Sequence, residues 1–376
     1  MARAVALARK GRGPTAPNPC VGAVLARDGA VVAEGFHQRC GGPHAEPDCL
    51  ADARAKGVDP SACTLYVTLE PCTHQGRTPP CTEAILAAGV PRVVIGARDP
   101  NTLAGGGAER LAQAGVDVTC GVLQQACEDL IHEFRLWQCT DRAYCILKLA
   151  QTLDGRIAAR DRSQEPVSCP ESFADVQRLR SLVGAVLVGG GTLRADDPSL
   201  TCRLDGLADG FVQPLAVAAT ARLPEPGACG LTRERPEQVL LLCPETLAQS
   251  PAAEALRAAG SRVWGLPSLV TEGGAGRGMD FAPALARLRQ ELGVHHVLCE
   301  GGGGLAMSLV SQRLADEVRV YLAPRILGDE AAVASFSGAG PRPMAEADGL
   351  RLSRFEPSGR DLKLVYLPTE APCSQD

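Results

Sequence analysis

The chain has 376 residues, of which 45% are hydrophobic and 22% charged, and its formal net charge is −5. This length exceeds what one ordinary hydrophobic core organises, so two domains are expected. The acidic balance and the aromatic content of 3% argue against a general nucleic-acid-binding protein, which needs a basic face and rings for base stacking. We therefore expect no nucleic-acid partner.

The sequence predicts neither a membrane span nor a secretory signal. No apolar run reaches the length of a membrane-crossing helix. Charged residues are spread through the first ten positions, which predict a short helix ending near Gly11 rather than a signal peptide. The 16 cysteines are scattered without paired spacing, as is typical of reduced thiols in the cytosol. We expect a cytoplasmic protein without a membrane partner.

Short apolar runs alternate with helical patterns in the first 140 or so residues. Asp28-Gly29 lies between two apolar runs and predicts a hairpin turn. The predicted strands are 21–25, 31–35, 65–69 and 93–96, and the predicted helices are 44–56, 81–88 and 108–114. Helices packed against a mixed sheet give an α/β/α sandwich.

The same alternation continues after a boundary that we place between Trp137 and the strand beginning at Cys145. The predicted domains are 1–141 and 142–376. In the second domain the predicted helix is 173–183, and the predicted strands are 186–189, 239–242, 297–299 and 318–322. Segments 203–235 and 273–278, rich in glycine, proline and arginine, are predicted to be loops. This pattern again indicates an α/β fold.

The motif with the clearest chemistry joins His44-Ala45-Glu46 to Pro71-Cys72 and Cys81. One imidazole and two thiolates suit zinc, and three protein ligands leave the fourth position open, as in catalytic sites. Glu46, two residues from His44, can reach the same water and move its protons. The preceding strand predicts that Cys72 begins a helix, where a thiolate is favoured.

These four residues alone leave other interpretations open, because short motifs are weak evidence. His44 could be an ordinary surface histidine. Cys72 and Cys81 could be ordinary thiols or ligands of a structural metal. The separation of the two cysteines, nine residues, also departs from the P-C-x-x-C pattern of base deaminases.

The longer block from Thr68-Leu69-Glu70-Pro71-Cys72 to Gly76-Arg77-Thr78-Pro79-Pro80-Cys81 resembles the deaminase half of the bifunctional riboflavin-biosynthesis deaminase/reductases. The resemblance implies a cytidine-deaminase-like α/β/α sandwich with zinc on His44, Cys72 and Cys81. It implies Glu46 as the catalytic proton carrier and a phosphoribosylated pyrimidine as substrate. Asn18 is a candidate reader of the heterocycle edge, since an amide both donates and accepts. Arg77 is a candidate phosphate contact.

Segments 148–158 and 188–203 and the run Glu300-Gly301-Gly302-Gly303 resemble the reductase half of the same family, a dihydrofolate-reductase-like α/β domain. A glycine run between a strand and a helix lets backbone N–H groups approach phosphates, although this run lacks the Rossmann spacing. The resemblance implies that NADPH is bound by Ala150, Thr192, Asp196, Gly302, Gly303 and Gly304. It implies that the phosphoribosyl substrate meets Ser163, Arg180, Leu200, Arg203 and Glu300.

Four positions depart from the family pattern in the second domain. Pro166 stands where a Trp is usual, Phe173 and Ala216 stand where Arg is usual, and Thr220 stands where Asp is usual. The leading hypothesis is a bifunctional enzyme that is a homo-oligomer. One alternative is a deaminase whose second domain is a degenerate binding or oligomerisation module. A nucleic-acid base deaminase is a further alternative, which the charge and the few aromatic residues disfavour.

Overall fold

The computed structural model describes residues 1–75, 79–101, 104–161, 165–271, 274–338, 340 and 343–369. The chain divides into two compact units, the first from Met1 to Thr140 and the second from Asp141 onward. Across the described ranges, none of the helices combines the length and the apolar character needed to cross a bilayer.

The first unit is built on a five-stranded sheet with the order β2-β1-β3-β4-β5. Strands β1 and β2 form the predicted hairpin around Asp28-Gly29, and β1 also pairs antiparallel with β3. Strands β3, β4 and β5 are parallel. The strands are β1 Gly22–Arg27, β2 Ala30–Phe36, β3 Thr64–Leu69, β4 Arg92–Ala97 and β5 Asp117–Cys120.

Helices cover both faces of this sheet, as predicted for an α/β/α sandwich. Because side chains alternate along a strand, Leu65 and Val67 pack against α2, α3 and α4, whereas Tyr66 packs on the opposite face beside α1. The helices are α1 Ala2–Ala8, α2 Ala45–Ala55, α3 Cys81–Ala87, α4 Gly107–Gln113, α5 Gln124–Leu130 and α6 His132–Cys139. Short 3₁₀ turns occur at Arg9–Gly11 and Pro60–Ala62.

The second unit contains a nine-stranded sheet with the order β11-β10-β9-β8-β14-β6-β15-β18-β17. In this order, the first seven strands, β11, β10, β9, β8, β14, β6 and β15, are parallel to one another. Strand β18 pairs antiparallel with β15, and β17 pairs antiparallel with β18 at the edge of the sheet. They are β6 Tyr144–Gln151, β8 Ala185–Gly189, β9 Leu215–Ala219, β10 Val239–Pro244, β11 Arg262–Leu266, β14 His296–Cys299, β15 Glu317–Leu322, β17 Leu350–Ser358 and β18 Asp361–Pro368.

Two short antiparallel pairs stand outside the large sheet of the second unit: β7 Arg156–Ala158 with β16 Val333–Ala334, and β12 Ser268–Thr271 with β13 Gly274–Met279. The helices are α7 Pro170–Arg180, α8 Gly190–Asp196, α9 Gly230–Glu234, α10 Glu245–Ala248, α11 Pro251–Ala258, α12 Ala282–Leu292 and α13 Gly303–Ser311. Further 3₁₀ turns occur at Pro236–Gln238 and Met344–Glu346. One apolar core joins alternate residues of the parallel strands to α12 and α13.

Two segments that the sequence predicts to be loops contain regular structure. Segment 203–235 holds strand β9 and helix α9, and residues 274–278 belong to strand β13. Strand β9 is rich in alanine, which has a low strand propensity, but its last four residues are buried between β8 and β10. Tertiary burial therefore decides the conformation there, against local composition.

Candidate functional site

The predicted zinc ligands of the first unit lie together. His44 precedes α2, Cys72 follows β3 and Cys81 begins α3, and their ligand atoms all lie within 4.8 Å of one another. The Nδ1 atom of His44 is 3.2 Å from the Sγ of Cys81 and 3.7 Å from the Sγ of Cys72. A zinc ion with ordinary bond lengths and tetrahedral angles places its nitrogen and sulfur ligands about 3.6 Å apart. The three residues therefore fit zinc.

The prediction that Cys72 begins a helix is wrong, because α3 starts only at Cys81, directly after Pro80. The backbone N–H of Cys81 nevertheless donates to the Sγ of Cys72 at 3.4 Å, so the helix start still faces this sulfur. Hydrogen bonds with Cys81 and with His44 lower the pKa of the Cys72 thiol below its usual range, while the hydrogen bond with Cys72 raises the pKa of Cys81. A bound cation holds both sulfurs as thiolates.

Glu46 lies in the first turn of α2 with 3% of its surface exposed. Burial raises its pKa to about 7, and Cys81 is among the groups that interact with its carboxyl. A cation bound at His44 and the two cysteines opposes this shift, because it favours the carboxylate. The position is suited to a group that both takes and gives a proton near neutral pH.

A hydrogen-bonded chain fixes Asn18 beside this cluster. The Nδ1–H of His37 donates to the carbonyl oxygen of Pro43 at 2.7 Å, so its Nε2 accepts from the amide nitrogen of Asn18 at 3.2 Å. Burial lowers the pKa of His37, in keeping with a neutral ring that can accept. The ring centroids of His37 and His44 are 5.4 Å apart. The side-chain oxygen of Asn18 is then the acceptor left for a ligand.

The backbone that carries Cys72 is held by a buried carboxylate and a glycine. Glu70 accepts hydrogen bonds from the backbone N–H groups of Asp99 and Ala108 at 3.1 and 3.0 Å and from Arg98 at 3.0 Å. At Gly107 a Cβ atom would lie 1.9 Å from the carbonyl oxygen of Pro71. Only glycine allows α4 to approach the metal-ligand segment this closely.

In the second unit, the predicted cofactor residues lie at the carboxyl ends of neighbouring parallel strands. Ala150 is near the end of β6, Thr192 and Asp196 are in α8 after β8, and the run Gly302–Gly304 opens α13 after β14. A Cβ atom at Gly302 would lie 3.9 Å from the Oγ1 of Thr192. Carboxyl ends of parallel strands are where open α/β sheets bind ligands.

Glycine leaves room for a ligand at both of these helix starts. Added Cβ atoms at Gly191 and Gly304 would have no heavy atom within 4 Å among the described residues, whereas one at Gly303 would lie 2.3 Å from the carbonyl oxygen of Ala334. The open space beside Gly304 leaves room for a phosphate to approach the start of α13, where backbone N–H groups favour an anion. The residues present fit a nucleotide cofactor.

The predicted substrate residues of the second unit are partly joined to one another. Arg180 donates to both carboxylate oxygens of Glu300, at 2.7 and 3.2 Å, and to the carbonyl oxygen of Thr201 at 2.8 Å. Burial alone would raise the pKa of Glu300, but Lys148 and Arg180 outweigh burial and lower it. Leu200 is buried with φ of 52°, a left-handed conformation unusual for leucine.

Arg77 and Ser163, the remaining predicted contacts, lie outside the described residues.

The structure shows what surrounds three of the positions that depart from the family pattern. Pro166 lines a surface cavity together with Thr152 and Arg156. Ala216 is buried in β9, and the hydroxyl of Thr220 donates to the carbonyl oxygen of Arg222 at 2.8 Å.

Lys148 and Glu70 have no role predicted from the sequence, and His37 is predicted only to be a structural or substrate-lining residue. Lys148 lies 3.8 Å from Glu300, Glu70 anchors the segment before Cys72, and His37 holds Asn18. Lys148 and Glu70 both belong to the segments that carry the family resemblance, and this membership is the feature of the sequence that could have indicated a role for them. Their roles depend on partners distant in the chain, so spacing alone does not reveal them.

Comparison with known proteins agrees with the division into two units. Residues 1–97 match the model of the cytidine and deoxycytidylate deaminase zinc-binding region. Residues 143–364 match the model of the RibD C-terminal domain. The zinc ligands and Glu46 fall in the first match, and the residues around Thr192 and Glu300 fall in the second.

Similarity to individual proteins extends over almost the whole chain. It is 35% identical to riboflavin biosynthesis protein RibD of Actinobacillus pleuropneumoniae, over 98% of this chain and 94% of that protein. It is 39% identical to RibD of Escherichia coli over 88% of each. The structure of Acinetobacter baumannii RibD, 33% identical, matches with a TM-score of 0.71 over 98% of both chains. A Thermotoga maritima deaminase/reductase structure, also 33% identical, matches with a TM-score of 0.73 over 98% and 97%. The chain therefore belongs to the RibD family of bifunctional riboflavin-biosynthesis enzymes, in which a zinc-binding deaminase domain precedes a reductase domain.

Proposed function

We propose that the first unit hydrolyses the amino group of 2,5-diamino-6-(5-phosphoribosylamino)pyrimidin-4-one and that the second then reduces the ribose to a ribityl chain. The observation that carries the deaminase assignment is the cluster of His44, Cys72 and Cys81 beside the buried carboxyl of Glu46. The Thermotoga maritima relative is described as a diaminohydroxyphosphoribosylaminopyrimidine deaminase and 5-amino-6-(5-phosphoribosylamino)uracil reductase, which supports this choice of substrate.

In the first unit we assign His44, Cys72 and Cys81 as zinc ligands and Glu46 as the proton carrier. Zinc, when bound, lowers the pKa of water in its open position toward neutrality. Glu46 takes a proton from the attacking water and passes it to the ring nitrogen. Once the C–O bond has formed, Glu46 takes the second proton, from the hydroxyl group now on the carbon, and passes it to the amino group. The C–N bond then breaks, ammonia leaves, and the C–OH becomes the C=O of the product.

In the first unit we assign Asn18 and Arg77 to binding of the substrate. Because His37 occupies one N–H of the Asn18 amide, the carbonyl oxygen of Asn18 can accept from an amino or N–H group on the pyrimidine edge. Arg77 is proposed as the phosphate contact because a guanidinium fits phosphate geometry. This arrangement selects a flat heterocycle with donors on its edge.

In the second unit we assign the cofactor to Ala150, Thr192, Asp196, Gly302, Gly303 and Gly304. NADPH, when bound, supplies the hydride. Ser163, Leu200, Arg203 and the Arg180–Glu300 pair are assigned to the phosphoribosyl substrate. Arg180 is engaged with Glu300 and Thr201, so Arg203, whose guanidinium has no hydrogen bond or ion pair to another described residue, is the group proposed to bind the phosphate.

The boundary between the two activities is proposed to lie between residues 141 and 142, which gives domains 1–141 and 142–376.

We also propose that the protein is a cytoplasmic homo-oligomer. Unpaired thiols at Cys20, Cys49 and Cys299 are in keeping with a reducing compartment. Edge strand β17 exposes apolar side chains, of which Phe355 is 66% exposed, and such an edge favours association. Light scattering over a range of protein concentrations tests this, since a monomer throughout would contradict the proposal.

The test of the function uses the purified, zinc-loaded protein and the diaminopyrimidine substrate, with and without NADPH. Ammonia release and NADPH oxidation are followed separately. We expect ammonia in both reactions and NADPH oxidation only after deamination has begun. Ammonia release without NADPH oxidation or NADPH binding would instead support the deaminase-only alternative, and absence of ammonia would contradict the assignment of the first unit.

A further inference from the structure

One face of helix α7 carries the segment that ends at Arg203. Phe173, Gln177 and Arg180 are spaced by four and three residues, so their side chains lie on the same face of the helix. Each of the three contacts a residue of segment 201–203. The position of Arg203 therefore depends on α7.

The contacts of Gln177 fix the backbone of this segment. The side-chain Oε1 of Gln177 accepts a hydrogen bond from the backbone N–H of Arg203 at 2.8 Å. The backbone carbonyl oxygen of Gln177 accepts one from the thiol of Cys202 at 3.4 Å. Gln177 is 3% exposed, so its hydrogen bond to Arg203 is shielded from water. From the other side, Gln213 accepts from the N–H of Cys202 at 2.7 Å and donates to its carbonyl oxygen at 3.1 Å. The segment is thus held on both sides.

Phe173 lies against the guanidinium of Arg203. The Cζ atom of Arg203 is 5.5 Å from the centroid of the Phe173 ring, within the range of a cation–π contact. The ring is 52% exposed although phenylalanine is apolar. A ring face orients a guanidinium without using its N–H groups, so all five remain available to an anion. A carboxylate in the same place would occupy two of them in a bidentate pair.

We propose that Phe173 and Gln177 are positioning residues for Arg203, with Gln177 fixing its backbone and Phe173 orienting its guanidinium toward the substrate phosphate. The proposal rests on the function proposed above, in which Arg203 meets that phosphate. It assigns Phe173, a departure from the family pattern, a role in substrate affinity. Phe173 and Gln177 need not touch the substrate.

The main test is Phe173→Leu, which keeps an apolar side chain but removes the ring. We expect the KM for 5-amino-6-(5-phosphoribosylamino)uracil to rise about two- to fivefold, the size of one exposed cation–π contact, with kcat unchanged. Phe173→Trp is the matched control and should keep the KM at or below that of the unaltered protein. With the dephosphorylated ribosylamino compound, Phe173→Leu should have no effect on KM.

A double-mutant cycle separates this proposal from the one on which it rests. In the background of Arg203→Ala, neither Phe173→Leu nor Gln177→Leu should raise the KM further, because both act through Arg203. If Arg203→Ala itself leaves the KM unchanged, the assignment of Arg203 to the phosphate fails. If Arg203→Ala raises the KM but Phe173→Leu does not, or if the effects of the two add independently, the positioning role of Phe173 is overturned. The Phe173 series decides the question even if Gln177→Leu does not fold.

Discussion

Replacing Gly107 by alanine should disturb the zinc site without touching a ligand. The new Cβ would lie 1.9 Å from the carbonyl oxygen of Pro71, the residue before Cys72. Ordinary contact begins near 3.4 Å, so α4 and the Pro71-Cys72 backbone must separate by about 1.5 Å. Overpacking of this kind costs about 1–3 kcal/mol in the free energy of unfolding, which lowers the melting temperature by roughly 3 °C per kcal/mol in a unit of this size.

The consequence for the metal is larger than the consequence for stability. Zinc ligands tolerate deviations of only about 0.2 Å, so displacement of Cys72 should weaken zinc binding about 10- to 100-fold. The assay is competition with a zinc chelator, combined with thermal unfolding of the zinc-loaded protein. Gly105→Ala is the matched control, because among the described residues its Cβ would lie no closer than 3.4 Å to another heavy atom, the carbonyl oxygen of Asn101. Equal zinc affinity in the two variants would refute the reasoning.

Three further predictions concern the assigned residues. Cys72→Ser and Cys81→Ser should each deplete the zinc, which is expected at about one ion per chain, and metal analysis that finds full zinc in both would contradict the ligand assignment. Glu46→Gln should retain zinc but lose about 10²- to 10⁴-fold in ammonia release, because an amide cannot carry the proton; near-normal release from a zinc-loaded variant would show that another group is the base. Asp196→Ala should cripple NADPH oxidation and leave ammonia release intact, and an unchanged rate of NADPH oxidation would remove Asp196 from the cofactor site.

The zinc cluster was predictable from the sequence because His44, Glu46 and the two cysteines occur in motifs with a chemical reason for their spacing. The local structure between the cysteines was not. The helix expected at Cys72 begins at Cys81, because Pro79 and Pro80 restrict the preceding backbone and delay the first helical turn. A local restriction by two prolines therefore sets the start of this helix, whereas the end of strand β3 alone predicts an earlier start.

Contacts between distant parts of the chain account for what the sequence could not reveal. The bond from Arg203 to Gln177 spans 26 residues, and the bond from Ala108 to Glu70 spans 38. No local pattern indicates which carboxylate or amide will receive a buried N–H group. Phe173 was recognised only as a departure from the family pattern, whereas its place beneath a guanidinium became visible only in three dimensions.

The strand order of the first unit has a consequence for biosynthesis of the protein. All five strands of its sheet come from residues 22–120, and the nine-stranded sheet uses none of them. The ribosome therefore completes every strand and zinc ligand of the first unit before it begins the second, at about 5–20 residues per second. Zinc capture can therefore precede synthesis of the reductase domain, so the deaminase site can be filled while the rest of the chain is still being made.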